Sequence, residues 1–124
     1  MNSGVRLAAV SLDCSDPAGL AGFYRQLLGL ELYFESPDFV ALRGAGVLLT
    51  TQRVADHVRP DWPSGPVPKQ IHLELAVQDL EAAESTALAL GATKADEQPN
   101  PDNWRVLVDP AGHPFCITTL IPDD

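Results

Sequence analysis

Cations are scarce in this sequence. Eight Lys and Arg stand against seventeen Asp and Glu, a formal net charge of -9. A phosphate backbone or an anionic membrane surface is held chiefly by clustered cations, so the composition argues against nucleic acid and membrane as partners. Long apolar runs are missing too: none approaches the roughly 20 residues that cross a bilayer. The segment Met1-Asn2-Ser3-Gly4-Val5-Arg6 lacks the charged, apolar and cleavage regions of a signal peptide, so the expected compartment is the cytoplasm. Two cysteines, Cys14 and Cys116, are too few and too far apart for a disulfide framework or a paired-cysteine zinc site. Both read as small, partly buried residues. No glycine-rich phosphate loop occurs, and no ordering of Ser, His and Asp suggests nucleophilic catalysis.

What the chain does have is a repeat. Ala8-Val10-Leu12-Cys14 runs into Ser15-Asp16-Pro17 and an amphipathic segment ending Leu27-Leu28-Gly29. Later, Ile71-Leu73-Leu75-Val77 runs into Gln78-Asp79-Leu80 and a segment ending Leu88-Ala89-Leu90-Gly91. A self-similar period means that each unit leaves an apolar face for its twin to cover. The 124 residues suit one domain, so the repeat lies inside it: module one about 5–54, a proline-rich linker about 55–69 and module two about 70–121.

Local signals give the order strand, helix, strand, strand, strand in each module. Asp16 can accept from free amides of the first turn, and Pro17 sits at the first helical position, where its missing N–H costs nothing. Leu20, Phe23, Tyr24, Leu27 and Leu28 recur at helical spacing before Gly29 stops the helix. Strands are expected near 6–14, 30–35, 39–43 and 47–52, then at 70–77, near Lys94, at 104–108 and 114–120, with a second helix over 80–90. Asp109-Pro110-Ala111-Gly112 reads as a turn, with Pro at its second position and Gly free to take positive φ. Prolines 60, 63, 66 and 68 forbid helix or central strand in the linker, which extended would reach about 31 Å at 3.1 Å per residue. Its Trp62 reads as a pocket lid or as a packed loop anchor.

Alternation sorts the strand residues by face. Val10, Leu12 and Cys14 share one face, leaving Ala9, Ser11 and Asp13 on the other; Leu73, Leu75 and Val77 likewise leave His72, Glu74 and Ala76. Phe115 and Ile117 alternate with Cys116 and Thr118, and Val47, Leu49 and Thr51 alternate with Leu48, Thr50 and Gln52. If helices cover one side of a curved sheet, then Ser11, Asp13, Thr50, Gln52, His72, Glu74 and Cys116 collect on the other as a ligand cavity. Trp104 is a candidate stacking wall for it. His113 reads as a turn residue, His57 as solvated, and the acidic residues Glu81, Glu84, Asp96 and Glu97 as a helix start plus a solvated face.

The run Leu12-Asp13-Cys14-Ser15-Asp16-Pro17 with Phe23-Tyr24 and Leu28-Gly29, then Ile71-His72-Leu73-Glu74-Leu75 with Asp79 and Leu90-Gly91-Ala92, then Trp104 and Asp109-Pro110-Ala111-Gly112-His113, resembles the vicinal oxygen chelate superfamily. Within it the chain is most similar to glyoxalase-like and bleomycin-resistance-like domains. The resemblance implies an α+β fold in which two βαβββ modules form a cupped mixed sheet with helices on the convex side. It also implies homodimers. Enzymes of the superfamily hold a divalent metal in the cup. The corresponding positions here are Ala9, Thr50 (or Gln52), His72 and Cys116, of which His72 is the one standard ligand. Methyl and hydroxyl groups cannot replace imidazole and carboxylate, and Cys116 with His72 would hold zinc only with further donors from Asp13, Glu74 or Gln52.

The expected function is therefore a protein that holds an organic small molecule in its cup, with no metal or other cofactor. Two alternatives stay open: a metal-dependent glyoxalase-like lyase or dioxygenase with a nonstandard ligand set around His72, and a regulatory or interaction module with a vestigial cavity.

Overall fold

The first helix starts where Asp16 and Pro17 place it. The Asp16 carboxylate accepts the Gly19 N–H at 3.0 Å, Pro17 opens the helix, and Gly29 closes it in the left-handed conformation with φ 65°. The computed structural model describes residues 4–121. Its chain divides into two compact units, Met1–His57 and Val58–Asp124. The first contains β1 (Ala9–Cys14), α1 (Pro17–Leu28), β2 (Glu31–Ser36), β3 (Phe39–Ala45) and β4 (Val47–Arg53). Its sheet runs β1-β4-β3-β2, with β1 parallel to β4 and the other pairs antiparallel. A parallel pair needs a crossover, which α1 begins, and α1 packs against β3 and β4. Leu20, Phe23 and Tyr24 are buried with Leu12, Val40, Leu42 and Leu49. Thr51 is wholly buried there, its hydroxyl donating to the Pro17 carbonyl at 2.8 Å.

The second unit repeats the plan. It contains β5 (Leu73–Ala76), α2 (Leu80–Leu90), β6 (Thr93–Lys94), β7 (Trp104–Val108) and β8 (Pro114–Thr118), in the sheet order β5-β8-β7-β6 with β5 parallel to β8. The whole is an α+β fold of two four-stranded mixed sheets, each with one helix. Asp79 caps α2 by accepting from Ala82 at 3.1 Å, as Asp16 does for α1. The strand expected over 70–77 is shorter. Pro114 opens the partner strand without an N–H to offer, so the ladder begins at Leu73 opposite Phe115 and leaves His72 just outside it. Thr118 ends β8 two residues before the expected limit, because its hydroxyl accepts the Leu120 N–H at 3.1 Å and turns the chain away from the sheet.

A further feature departs from the sequence reading. Glu81 and Glu84 are not simply solvated: Arg105 on β7 donates to them at 2.8 and 3.4 Å, and Lys94 on β6 lies 3.3 Å from Glu84. The pairs tie α2 to its sheet, and the Arg105 bond and charge hold the Glu81 carboxyl below its ordinary range. The proline segment, neither helix nor central strand, is closed on itself. Asp61 closes it by donating its backbone N–H to the Val67 carbonyl and accepting the Val67 N–H on its side chain at 3.0 Å.

Arg59 of that segment lies over the Asp109–Gly112 turn. The Asp109 carboxylate, 2% exposed, accepts the Ala111 and His113 N–H groups at 2.9 and 3.0 Å. His113 thus joins the turn through its backbone. Gly112 has φ 95°, and a Cβ built there would meet Arg59 Cβ and Cγ at 2.8 Å. Gly112→Ala is expected to destabilise the protein by about 1–3 kcal/mol from backbone strain, with steric conflict added. Adding Arg59→Ala should recover the steric part and leave the strain; urea unfolding reads both, and equal stability of Gly112→Ala and wild type would refute the account.

Candidate functional site

The parallel register of β5 and β8 sets the chemistry of the second unit. Glu74 lies opposite Cys116 and Ala76 opposite Thr118, while across β7 Val106 faces Cys116 and Trp104 faces Thr118. Pleat alternation therefore puts Glu74, Cys116, Thr118 and Trp104 on one face, opposite to Phe115, Ile117 and Leu107, which are 1% exposed or less. His72, two residues before Glu74, joins them: its Nε2 lies 2.6 Å from Glu74 Oε1. One nitrogen, one carboxylate and one sulfur all come within 4.8 Å of one another. Among the described residues this is the one group of His, Cys, Asp and Glu side chains gathered closely enough to hold an ion.

Electrostatics keep the sulfur protonated. Burial pushes the Cys116 thiol up to about 11, the Glu74 carboxylate adds to the rise, and Lys69 partly offsets it. Glu74 also faces outward. With Trp104, Thr118, Leu120 and Ile121 it lines a pocket of about 310 Å³. One carboxylate thus joins a polar cluster to an indole wall. Thr118, Leu120 and Ile121 were missed as site residues in the sequence; Thr118 was findable, because it shares the alternation of Cys116.

The first unit presents the matching face with different chemistry. Ser11 lies opposite Thr50, Asp13 opposite Gln52 and Ala9 opposite Leu48. Ser11, Asp13 and Gln52 are exposed and Thr50 is buried, at 2%. No imidazole or carboxylate stands at Ala9 or Thr50. Trp62 is half-buried and lines a different cleft of the second unit, about 490 Å³, beside Arg59, Asp61, Lys94 and Glu97. Of the sequence-derived set, then, the structure gathers His72, Glu74, Cys116 and Trp104, and pairs Ser11 with Thr50 and Asp13 with Gln52 in the first unit.

The fit to a metal can be judged from the donors. Nitrogen, sulfur and a single carboxylate suit a zinc-like ion and not a hard cation that needs six oxygens. Binding would require the His72 and Glu74 atoms to part and Cys116 to lose a proton held well above neutrality. The residues are of the right kind for a three-donor ion, but His72 and Glu74 are bonded to each other and Cys116 keeps its proton.

This protonation state predicts slow thiol chemistry. Alkylation of Cys116 by iodoacetamide, followed by peptide mass spectrometry to separate it from Cys14, should rise with pH to a midpoint near 11. Glu74→Gln should move that midpoint down. A midpoint at the ordinary value near 9, or no response to Glu74→Gln, would contradict the proximity of the two groups.

Comparison with known proteins agrees with this architecture. The family model described as a glyoxalase-like domain matches residues 9–118. A glyoxalase/bleomycin resistance protein/dioxygenase family enzyme from Burkholderia phytofirmans is 24% identical, over 94% of this chain and 100% of that one, with a TM-score of 0.70. The fosfomycin resistance protein FosX from Listeria monocytogenes, solved as its E126Q mutant with Mn(II) and a dihydroxypropylphosphonic acid, is 16% identical over 98% and 95%, with a TM-score of 0.72. The bleomycin-binding protein of Streptomyces verticillus, solved with copper(II)-bleomycin, is 19% identical over 92% and 95%, with a TM-score of 0.59. At these identities the structures speak for the fold. No curated protein matches the sequence significantly. The family match spans nearly the whole of both modules, and the chain belongs to the glyoxalase-like domain family.

Proposed function

We propose that this protein binds an organic small molecule at the Glu74–Trp104 pocket, without a resident metal. The observation that carries the reading is the double role of Glu74, which is bonded to His72 on one side and lines the indole-walled pocket on the other. A carboxylate beside Trp104, Leu120 and Ile121 suits a ligand with an N–H or cationic group on a flat apolar body. The charge of -9 favours such a ligand at long range. His72 orients the carboxylate, and Cys116 packs behind it as a neutral thiol. Ser11, Asp13 and Gln52 offer exposed hydrogen-bonding groups on a face of the first unit, with Thr50 buried opposite Ser11. The neighbours solved with a phosphonic acid and with copper(II)-bleomycin support a small-molecule role for the fold in general.

A thermal-shift screen of aromatic amines against their isosteric carboxylates tests this, since a ligand of the native state raises its melting temperature. Amines should score, and a hit should quench tryptophan fluorescence. Trp104→Ala and Glu74→Gln should each weaken it about tenfold, equivalent to about 1.4 kcal/mol, while Trp62→Ala leaves it unchanged. The opposite ranking of the tryptophans would move the site to the cleft beside Trp62 and overturn the proposal.

The convergence of His72, Glu74 and Cys116 favours one second reading, a zinc-like ion on these three donors, in which case the chain is a metal-dependent enzyme of the family. No helix among the described residues is long and apolar enough to cross a membrane. The proposed setting is the cytoplasm. We also propose a two-fold dimer, the commonest closed assembly, supported by the exposed Val58 and Ile71 of the second unit, at 61% and 65% exposure. Light scattering at low micromolar concentration should give twice the 13.3 kDa chain mass; a single-chain mass across dilution would contradict it.

A further inference from the structure

In a chain so short of cations, two arginines converge on one cleft of the first unit. The cleft holds about 430 Å³ and is lined by Arg6, Tyr33 and Arg43 over a floor of Ala8, Val47 and Leu48, with the glycine turn after Arg43 forming its rim. No Asp or Glu lines it. Local backbone devices shape it. The β2–β3 register shifts between Leu32 and Phe34, so Tyr33 is the extra residue of a bulge, a device that re-aims a side chain. Gly44 and Gly46 both have positive φ, at 121° and 87°, and a Cβ at Gly46 would meet nothing within 4 Å, so the rim is open.

The charges fix the class of occupant. The Arg43 guanidinium lies 5.9 Å from the Tyr33 ring centroid, and its Nε donates to Glu31 at 3.1 Å. That bond uses one of the five N–H donors of the fork. Glu31 cancels one positive charge of the pair, so the cleft carries a net single positive charge beside an aromatic ring and an aliphatic floor. We infer that this cleft is a binding site for a monoanionic organic acid, its carboxylate held by Arg6 and Arg43 and its apolar body lying between Tyr33 and Leu48. It is separate from the Glu74–Trp104 pocket and takes the opposite charge.

Titration of the 15N-labelled full chain with 1-naphthylacetate tests the inference. The amides of Gly44, Gly46, Val47 and Leu48 should shift saturably. The neutral 1-naphthylacetamide should bind at least tenfold more weakly, and Arg6→Gln and Arg43→Gln should each weaken the acid at least fivefold. Trp104→Ala should change nothing. The Arg43–Glu31 pair is exposed, at 57% and 72%, so the variant should fold, and the acid–amide comparison on the wild type stands without it. Equal binding of the amide, unchanged affinity in both arginine variants, or shifts confined to Glu74 and Trp104 would overturn it. So would equally strong shifts with inorganic phosphate, which would mark a bare charge site, or tighter binding of 1-naphthyl phosphate, which would mark a dianion site.

Discussion

The parallel pairing of the first and last strands of each module is the constraint from which the rest follows. β1 beside β4, and β5 beside β8, cannot be joined by a tight turn, so a helix has to carry the chain across one face of each sheet. That helix buries one set of alternating side chains and leaves the other set for function. Because the side-chain period is two, a one-residue slip of β8 would place Ile117 opposite Glu74 and turn Cys116 toward α2. The buried Thr51 hydroxyl on the Pro17 carbonyl and the Arg105 bonds to Glu81 and Glu84 both link a helix to its sheet in the observed register.

The two units share a plan but not a chemistry. In the second, His72, Glu74 and Cys116 converge, each of a type that can bind a proton or an ion. In the first, Ala9 and Thr50 bring no imidazole or carboxylate, and Arg6, Tyr33 and Arg43 line a cleft of their own. The pocket of the second unit, with one carboxylate beside an indole, is better matched to hydrogen bonding and stacking than to a cation that needs several hard donors.

Local chemistry was legible in the sequence and long-range chemistry was not. Asp16-Pro17, Asp79 and the Asp109–Gly112 turn act within four residues of themselves, and each does in the structure what its residue types dictate. Strand alternation sorted the faces, because pleating needs no knowledge of partners. The shortening of β5 depends on Pro114, far along the chain, and the engagement of Glu81 and Glu84 depends on Arg105 on β7. The folding of the proline segment rests on Asp61 meeting Val67, and the arginine cleft on a bulge that no periodicity announces. The closeness of His72 to Glu74 was implicit in their spacing; that Cys116 completes the group required the β5–β8 register.

The central claim is that His72 and Glu74 bond to each other beside a protonated Cys116, and that the group serves an organic ligand, not an ion. Calorimetric titration of chelator-treated protein with zinc, nickel, manganese and iron(II) tests it most directly. The account predicts no ion bound more tightly than the millimolar range, in the wild type and in His72→Ala alike. Micromolar or tighter binding of one ion, abolished by His72→Ala, would contradict it and make this face a metal centre.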